Sequence, residues 1–196
     1  YHVCMNATET LSERIRKIRL IAMDVDGVLT DGTLPLLEHD EGKFFYARDG
    51  LGISVGRNAG LKFAIITGRQ CAAVVKRVEE LRIDHLVQAA TNKAKALADV
   101  CAAEGIDVTE AAFIGDDWND LPGMEVAGLS ACPADAPPEI RARVDIVLKH
   151  NGGRGAVREM VETVLEAQGG WEQAAERWLE GLRNREAQDG GIVCRQ

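Results

Sequence analysis

Residues 21–32 read IAMDVDGVLTDG, an apolar run that leads directly into acidic side chains. The run belongs to a predicted strand over residues 19–25, whose uninterrupted apolar character is typical of a strand buried on both faces. Asp24 and Asp26 stand two positions apart at its end and therefore share one face. Two close carboxylates repel each other unless a cation neutralises them. This stretch therefore predicts a buried strand with a functional site at its carboxyl end.

Apolar strands alternate with helices along most of the chain. Beyond the first strand, the pattern predicts strands at 62–68, 85–88, 111–117, 129–133 and 145–149. Helices or helical turns are predicted at 8–18, 50–60, 69–82, 92–105, 120–128, 137–144 and 155–169. This alternation predicts an α/β fold, a Rossmann-like doubly wound parallel sheet with helices on both faces.

Residues 33–47 interrupt this alternation and predict a protruding β-hairpin with Gly42 in its turn. Only the hairpin and one helix separate the first two core strands, which is too little chain for a cap domain over the site. We therefore expect no cap domain. The expected boundaries are a helical extension at 1–17, a core domain at 18–168 and a tail at 169–196 that is helical to about residue 185 and then disordered.

Composition narrows the class of protein. The 196 residues are 46% hydrophobic, which is enough for one substantial core. A net charge of −8 disfavours nucleic acid as a partner, and five widely spaced cysteines without a CxxC pair indicate free thiols in a reducing compartment. No apolar run approaches the ~20 residues that cross a bilayer, and the first residues lack a signal-peptide pattern. We therefore expect a cytoplasmic protein without a membrane contact.

Polar side chains follow several predicted strands at the point where each strand ends. The groups in question are Asp24, Asp26, Thr67, Gly68, Arg69, Asp116, Asp117 and Asp120, with Lys93 at the start of the helix after the third strand. A single aspartate after a strand is ordinarily a helix cap or a turn residue. Because the carboxyl ends of parallel strands meet at one edge of a sheet, capping alone does not explain the whole set. The sequence therefore predicts one site at that edge.

These residue types suit one chemistry. Carboxylate oxygens are ligands for a hard cation such as Mg²⁺, which keeps several waters and takes phosphate oxygens. A carboxylate can attack phosphorus to form an aspartyl-phosphate, and a second acid can protonate the leaving alkoxide and then deprotonate water. A threonine hydroxyl and a lysine ammonium can hold the remaining phosphate oxygens. The pattern favours Mg²⁺-dependent phosphoryl transfer.

Four motifs together resemble those of the haloacid dehalogenase phosphatase superfamily: DVDGVLTDG, IITGR, NK and GDDWND. The segments ARDGLGI (47–53) and GGRGAVRE (152–159) are similar to the capless members that act on 3-deoxy-D-manno-octulosonate 8-phosphate. The similarity extends from about residue 18 to residue 168. It implies that the chain hydrolyses this phosphorylated sugar acid to the free acid and phosphate, through an aspartyl-phosphate, in lipopolysaccharide biosynthesis.

The resemblance also implies roles for individual residues. Asp24 would be the nucleophile and a Mg²⁺ ligand, and Asp26 the general acid/base that gives its backbone carbonyl to the metal. Asp116 and Asp117 would complete the metal site with Asp120 in support. The phosphoryl group would be contacted by Thr67, Gly68 and Lys93, of which Thr67 and Lys93 count as catalytic.

Substrate contacts are implied by resemblance as well, at Arg48, Asp49, Gly50, Arg69 and Arg77. The family's hairpins assemble a homotetramer, so that GGRGA of an adjacent chain would bring its Arg154 to each site and close it. Ser54 departs from the pattern, because some relatives carry a substrate-binding arginine at this position. For Arg77 the alternative to a substrate contact is a position on a solvated helix face. For Arg154 the alternative is a loop position that faces water.

Two other functions remain open at this point. One is the same chemistry on a sialic-type nonulosonate 9-phosphate. The other is a non-catalytic tetramerisation module, since a similar domain serves assembly when fused to sugar-nucleotide synthetases. The presence of both acids, the lysine and the metal acid favours an enzyme.

Overall fold

The computed structural model describes residues 9–36 and 42–188. Most of the predicted hairpin turn, at 37–41, lies outside the described residues, and so do residues 189–196 of the tail that is predicted to be disordered after about residue 185. The helices are α1 (Leu11–Arg16), α2 (Ala47–Asn58), α3 (Ala72–Leu81), α4 (Lys93–Glu104), α5 (Leu121–Val126), α6 (Pro138–Arg141), α7 (Ala156–Gln168) and α8 (Trp171–Gln188), with a short 3-10 turn at Val108–Glu110. None of the helices in the described part combines the length and the apolar composition that a bilayer crossing needs.

Six parallel strands form one sheet. They are β1 (Leu20–Met23), β2 (Lys62–Ile66), β3 (His85–Val87), β4 (Ala111–Ile114), β5 (Leu129–Cys132) and β6 (Ile146–Val147). Their order is β3-β2-β1-β4-β5-β6, so the chain winds from β1 towards one edge, returns, and winds from β4 towards the other. The predicted doubly wound α/β fold is confirmed. Its switch point lies between β1 and β4, which is where such sheets bind ligands.

Apolar residues of β1 alternate between two cores. Ile21 and Met23 belong to the cluster that includes α2 and α7, whereas Leu20 and Ala22 belong to the cluster under α4 and α5. Both faces of β1 are therefore buried, which explains its continuous apolar sequence. Each strand is one to three residues shorter than predicted.

The predicted hairpin is only partly regular in the described residues. Leu36 forms a single bridge, and the Gly42 N–H donates to the Pro35 carbonyl at 2.8 Å. The two arms thus approach each other, but residues 33–35 and 42–46 form no continuous strand. Two large apolar side chains on the arms are well exposed, Leu36 at 74% and Phe44 at 73%.

The C-terminal tail forms α8, which extends three residues past the predicted end. Ala174 is buried, and Trp171 and Trp178 pack against the core cluster that contains α7. Both tryptophans therefore pack on the core of their own chain. The predicted domain boundary at residue 168 stays a prediction.

Candidate active site

A cavity of about 250 Å³ opens at the carboxyl ends of β1, β2 and β4. It is lined by Asp24, Asp26, Gly32, Thr67, Gly68, Arg69, Asp116, Asp117 and Asn119. The sheet therefore brings together residues from three strand ends that are far apart in the chain, as the sequence predicted. Lys93 lies at the start of α4, outside this lining, and its buried side chain contacts Asp24.

Asp24 directly follows β1 and is more buried than Asp26. Its backbone N–H donates to the Ile114 carbonyl at 3.0 Å, which continues the β1–β4 pairing and fixes its position. Its Oδ2 lies 3.2 Å from Lys93 Nζ, while its Oδ1 is buried and accepts no hydrogen bond within the described chain. A buried carboxylate oxygen without a partner is costly, so Oδ1 is suited to a metal ion or to phosphorus.

Asp120 holds the opposite wall of the site in place. It is fully buried, and its Oδ1 accepts from Lys93 Nζ. Its Oδ2 accepts from the backbone N–H groups of Asp116 at 2.9 Å and Asp117 at 3.3 Å. Asp120 thus orients both the lysine and the β4 loop, and its supporting role at a metal site stays a prediction.

Three carboxylates could share a cation, because one oxygen each of Asp24, Asp116 and Asp120 lies within 4.8 Å of the others. Asp120 already uses both oxygens for Lys93 and the backbone. Of the predicted metal ligands, Asp24 and Asp116 therefore meet directly, whereas Asp26 and Asp117 line the same cavity. The complete ligand set stays a prediction, but hard oxygen donors around an orphaned Asp24 oxygen fit Mg²⁺.

The electrostatics of these acids also call for a cation. Burial and the nearby Asp120 raise the pKa of Asp24 to about 6, although Lys93 opposes the shift. Burial, followed by Asp120 and Asp24, raises the pKa of Asp116 to about 8. Burial lowers the pKa of Lys93, but Asp24 and Asp120 outweigh it and raise that pKa overall. A divalent cation would favour the charged form of both aspartates.

The comparisons with known proteins agree with this geometry. A family model described as haloacid dehalogenase-like hydrolase matches residues 85–160. The 3-deoxy-D-manno-octulosonate 8-phosphate phosphatase of Escherichia coli is 42% identical over 162 residues, which cover 82% of this chain and 86% of the relative. The chain belongs to this phosphatase family. The relative from Haemophilus influenzae is 38% identical over 160 residues, covering 81% and 89% of the two chains.

Solved structures of this phosphatase family share the fold. The Moraxella catarrhalis phosphatase, in complex with a magnesium ion, a phosphate ion and the sugar acid, is 37% identical with a TM-score of 0.81. That match covers 85% of this chain and 97% of the other. The cobalt-bound Haemophilus influenzae phosphatase is 38% identical with a TM-score of 0.78, covering 80% and 92%. The protein is therefore a phosphatase, and the predicted fold and superfamily are confirmed.

Gly27 shapes the turn that carries the phosphatase acids. Its φ of +82° lies in the left-handed region, and a Cβ at this position would fall onto Asp116 Oδ2. Gly152 and Gly153 pack on the same turn from the C-terminal half of the chain, where the Gly153 N–H donates to the Val28 carbonyl at 2.8 Å. A Cβ on Gly152 would collide with the Gly27 carbonyl. The GGRG segment therefore supports the turn that follows Asp24 and Asp26 within its own chain.

Asp26 makes two contacts with cations. Its Oδ1 accepts from Lys43 Nζ at 2.5 Å, and its Oδ2 lies 3.6 Å from Arg69 Nε. Lys43 was missed by the sequence reasoning, since nothing in its local pattern distinguishes it from an exposed hairpin lysine. Thr67 was predicted and is buried in the cavity wall, where its Oγ1 accepts from the Arg69 N–H at 3.3 Å.

Several predicted substrate residues do not line the acidic cavity, among them Asp49, Gly50 and Arg77. Asp49 is buried, and its carboxylate accepts from the N–H groups of Gly155 at 3.3 Å and Arg158 at 2.8 Å, at the start of α7. A Cβ on Gly50 would collide with the guanidinium of Arg77, which lies 5.5 Å from the Phe45 ring centroid. The Arg77 side chain is only 13% exposed, so the alternative of a solvated helix face is wrong. The structure gives all three residues packing roles between α2, α3 and α7, and their substrate contacts stay a prediction.

Arg48 and Arg154 line a second cavity, of about 390 Å³, beside the start of α7. Arg154 is 65% exposed and lies 3.5 Å from Asp31 of its own chain. Ser54 lies elsewhere again, in a third cavity next to Trp178 of α8, and its hydroxyl donates to the Gly50 carbonyl at 3.0 Å. Position 54 therefore borders α8 in this chain.

Proposed function

We propose that the protein hydrolyses 3-deoxy-D-manno-octulosonate 8-phosphate to the free sugar acid and inorganic phosphate, as a step of lipopolysaccharide biosynthesis. The main support for this proposal is the environment of Asp24. Its Oδ1 is buried and unpartnered within the described chain, and Asp24 lines the same cavity as Thr67 and Asp116. The relatives that share the architecture at 37–42% identity are phosphatases of this sugar phosphate by name.

In the first step, an oxygen of Asp24 attacks phosphorus. The bond between phosphorus and the sugar oxygen breaks, its electron pair leaves with that oxygen, and the carboxyl group of Asp26 supplies the proton. Lys93 holds Asp24 Oδ2 and so directs the other oxygen towards the substrate. Mg²⁺, held by oxygens of Asp24, Asp116 and Asp117 and by the Asp26 carbonyl, would supply positive charge to the phosphoryl oxygens.

In the second step, the Asp26 carboxylate takes a proton from water as the water oxygen attacks the phosphorus of the aspartyl-phosphate. The bond between phosphorus and Asp24 breaks, which restores the Asp24 carboxylate and releases phosphate. Thr67, Gly68 and Lys93 hold phosphoryl oxygens during both steps. Asp120 acts indirectly, by fixing Lys93 and the backbone of Asp116.

The sugar acid carries a carboxylate of its own, and we propose that arginine side chains bind this carboxylate. Arg69 borders the acidic cavity, while Arg48 and Arg154 border the second cavity beside the start of α7.

We further propose a cytoplasmic homotetramer in which neighbouring hairpins close the site. The exposed Leu36 and Phe44 support this assembly, since large apolar side chains on a protruding segment favour burial against another chain. Light scattering that finds only monomers would contradict the assembly.

Phosphate release from a panel of sugar phosphates tests the reaction directly. With Mg²⁺ we expect the octulosonate 8-phosphate to show the highest kcat/KM, and EDTA to abolish turnover. Preference for a nonulosonate 9-phosphate would move the assignment to that substrate. Absence of turnover on every panel member would favour a non-catalytic module.

A further inference from the structure

Lys43 is an unexpected buried cation on the second arm of the 33–47 segment. Its side chain is only 1% exposed, and its Nζ lies 2.5 Å from Asp26 Oδ1. Removing an ammonium group from water costs several kcal/mol unless it is paired and hydrogen-bonded. The short charge-assisted contact with Asp26 is one pairing that offsets this cost.

The two oxygens of Asp26 have different surroundings. Oδ1 is held by buried Lys43, which is not one of the residues that line the cavity. Oδ2 lies 3.6 Å from Arg69 Nε, and Arg69 does line the cavity and is half exposed. One oxygen of Asp26 is thus bound by a lysine outside the cavity lining, and the other lies near an arginine of that lining.

Asp26 needs such an anchor because it lies beyond the end of β1, in an irregular turn. Neither the strand pairing that fixes Asp24 nor a helix constrains its side chain. Proton transfer requires a donor oxygen within hydrogen-bond reach of the leaving oxygen, so a free rotation of this carboxyl group would reduce the rate. An ion pair to one oxygen limits that rotation.

We propose that Lys43 is a positioning residue for Asp26. By holding Oδ1, it presents Oδ2 to the sugar oxygen that leaves in the first step and to the water that attacks in the second. The inference rests on the role of Asp26 in the proposed function. It gives the second arm of the 33–47 segment a part in the chemistry of its own chain.

A double-mutant cycle on the sugar phosphate tests this role. Lys43→Met is expected to lower kcat by about 10–100-fold with little change in KM, since positioned acid–base groups contribute at least this much. In the Asp26→Asn background, the same Lys43→Met change is expected to lower the residual kcat by less than about threefold, because the group it positions is already disabled. An equal loss in both backgrounds would show a merely structural role and overturn the proposal.

Three further comparisons keep the outcomes separate. If Asp26→Asn retains full turnover, the assigned role of Asp26 fails; if Asp26→Asn is slow and Lys43→Met is not, only the Lys43 proposal fails. Lys62→Met is the matched control, because Lys62 is ion-paired to Asp84 at 3.0 Å at the opposite end of β2 and should not affect kcat. Should Lys43→Met not fold by circular dichroism, Lys43→Gln retains a hydrogen-bond donor without the charge and enters the same cycle.

Discussion

Asp24 combines burial, an unpartnered oxygen and a neighbouring lysine in one side chain. We predict that Asp24→Asn lowers kcat by at least about 10³-fold, since an amide cannot form the phosphoenzyme and nucleophile removal has effects of this order or larger. The variant should remain folded, because removing a buried charge relieves its repulsion with Asp120. Phosphate release with Mg²⁺ measures the loss, and Asp99→Asn on the exposed face of α4 is the control. Full activity of Asp24→Asn would rule out the covalent route.

Gly27 is tested most sharply by comparison with another glycine of similar backbone conformation. We predict that Gly27→Ala lowers kcat/KM by more than about 100-fold and raises the Mg²⁺ concentration needed for activity, because its Cβ would displace Asp116. Gly60 also has a positive φ, +102°, but a Cβ there meets nothing within 4 Å. Gly60→Ala should therefore cost about 1 kcal/mol of stability and leave the metal requirement unchanged. Equal metal requirements in the two variants would contradict the steric argument.

Asp145 joins separate parts of the fold, since it contacts helix α1 and strand β5. Its carboxylate accepts from Arg14 at 2.7 Å and from the N–H and hydroxyl of Ser130, both at 2.9 Å. Burial raises the pKa of Asp145, but these hydrogen bonds and the Arg14 charge outweigh it and hold the pKa below its usual value. The contacts therefore stabilise the fold only when Asp145 is ionised.

The sign of the pH dependence follows from that lowered pKa. The stabilisation is fully present above the unfolded-state pKa of about 3.9, and it is lost as the pH falls through the lower folded-state pKa. We predict that Asp145→Asn lowers the free energy of unfolding by about 1–2 kcal/mol at pH 7, a value that allows for solvent screening at this partly exposed site. In urea titrations, the difference from the native protein should shrink below about pH 4. A constant difference down to pH 3 would contradict the role of the charge.

The sheet as a whole explains which parts of the site the sequence could reveal. Asp24, Thr67 and Asp116 were predictable because each follows a buried apolar strand, and parallel strands bring their carboxyl ends together. Lys43 was not predictable, because its contact with Asp26 depends on the path of the irregular segment that carries it. The packing of Asp49 was equally hidden, since its partners at the start of α7 are more than a hundred positions away in the chain.

Helix α8 of the predicted tail contributes Ala174 to the core cluster that contains α7. We predict that Trp178→Ala lowers the free energy of unfolding by about 2 kcal/mol, less than for a fully buried tryptophan because Trp178 is only partly buried. Leu179→Ala, at the next and more exposed position, should have a much smaller effect. Chemical denaturation of the two variants measures the difference, and equal stabilities would indicate that α8 does not contribute to the core.

The strand order has a further consequence for how the protein is made. Among the six strands of this sheet β1 is synthesised first, yet its partner β4 lies about ninety residues later in the chain. The central pairing must wait for that distant segment to be synthesised, and Asp24 cannot meet Asp116 before it. The repulsion between Asp24 and Asp116 therefore arises only after most of the sheet has been synthesised and can hold the two acids together. The nascent chain thus begins to fold before this unfavourable contact forms.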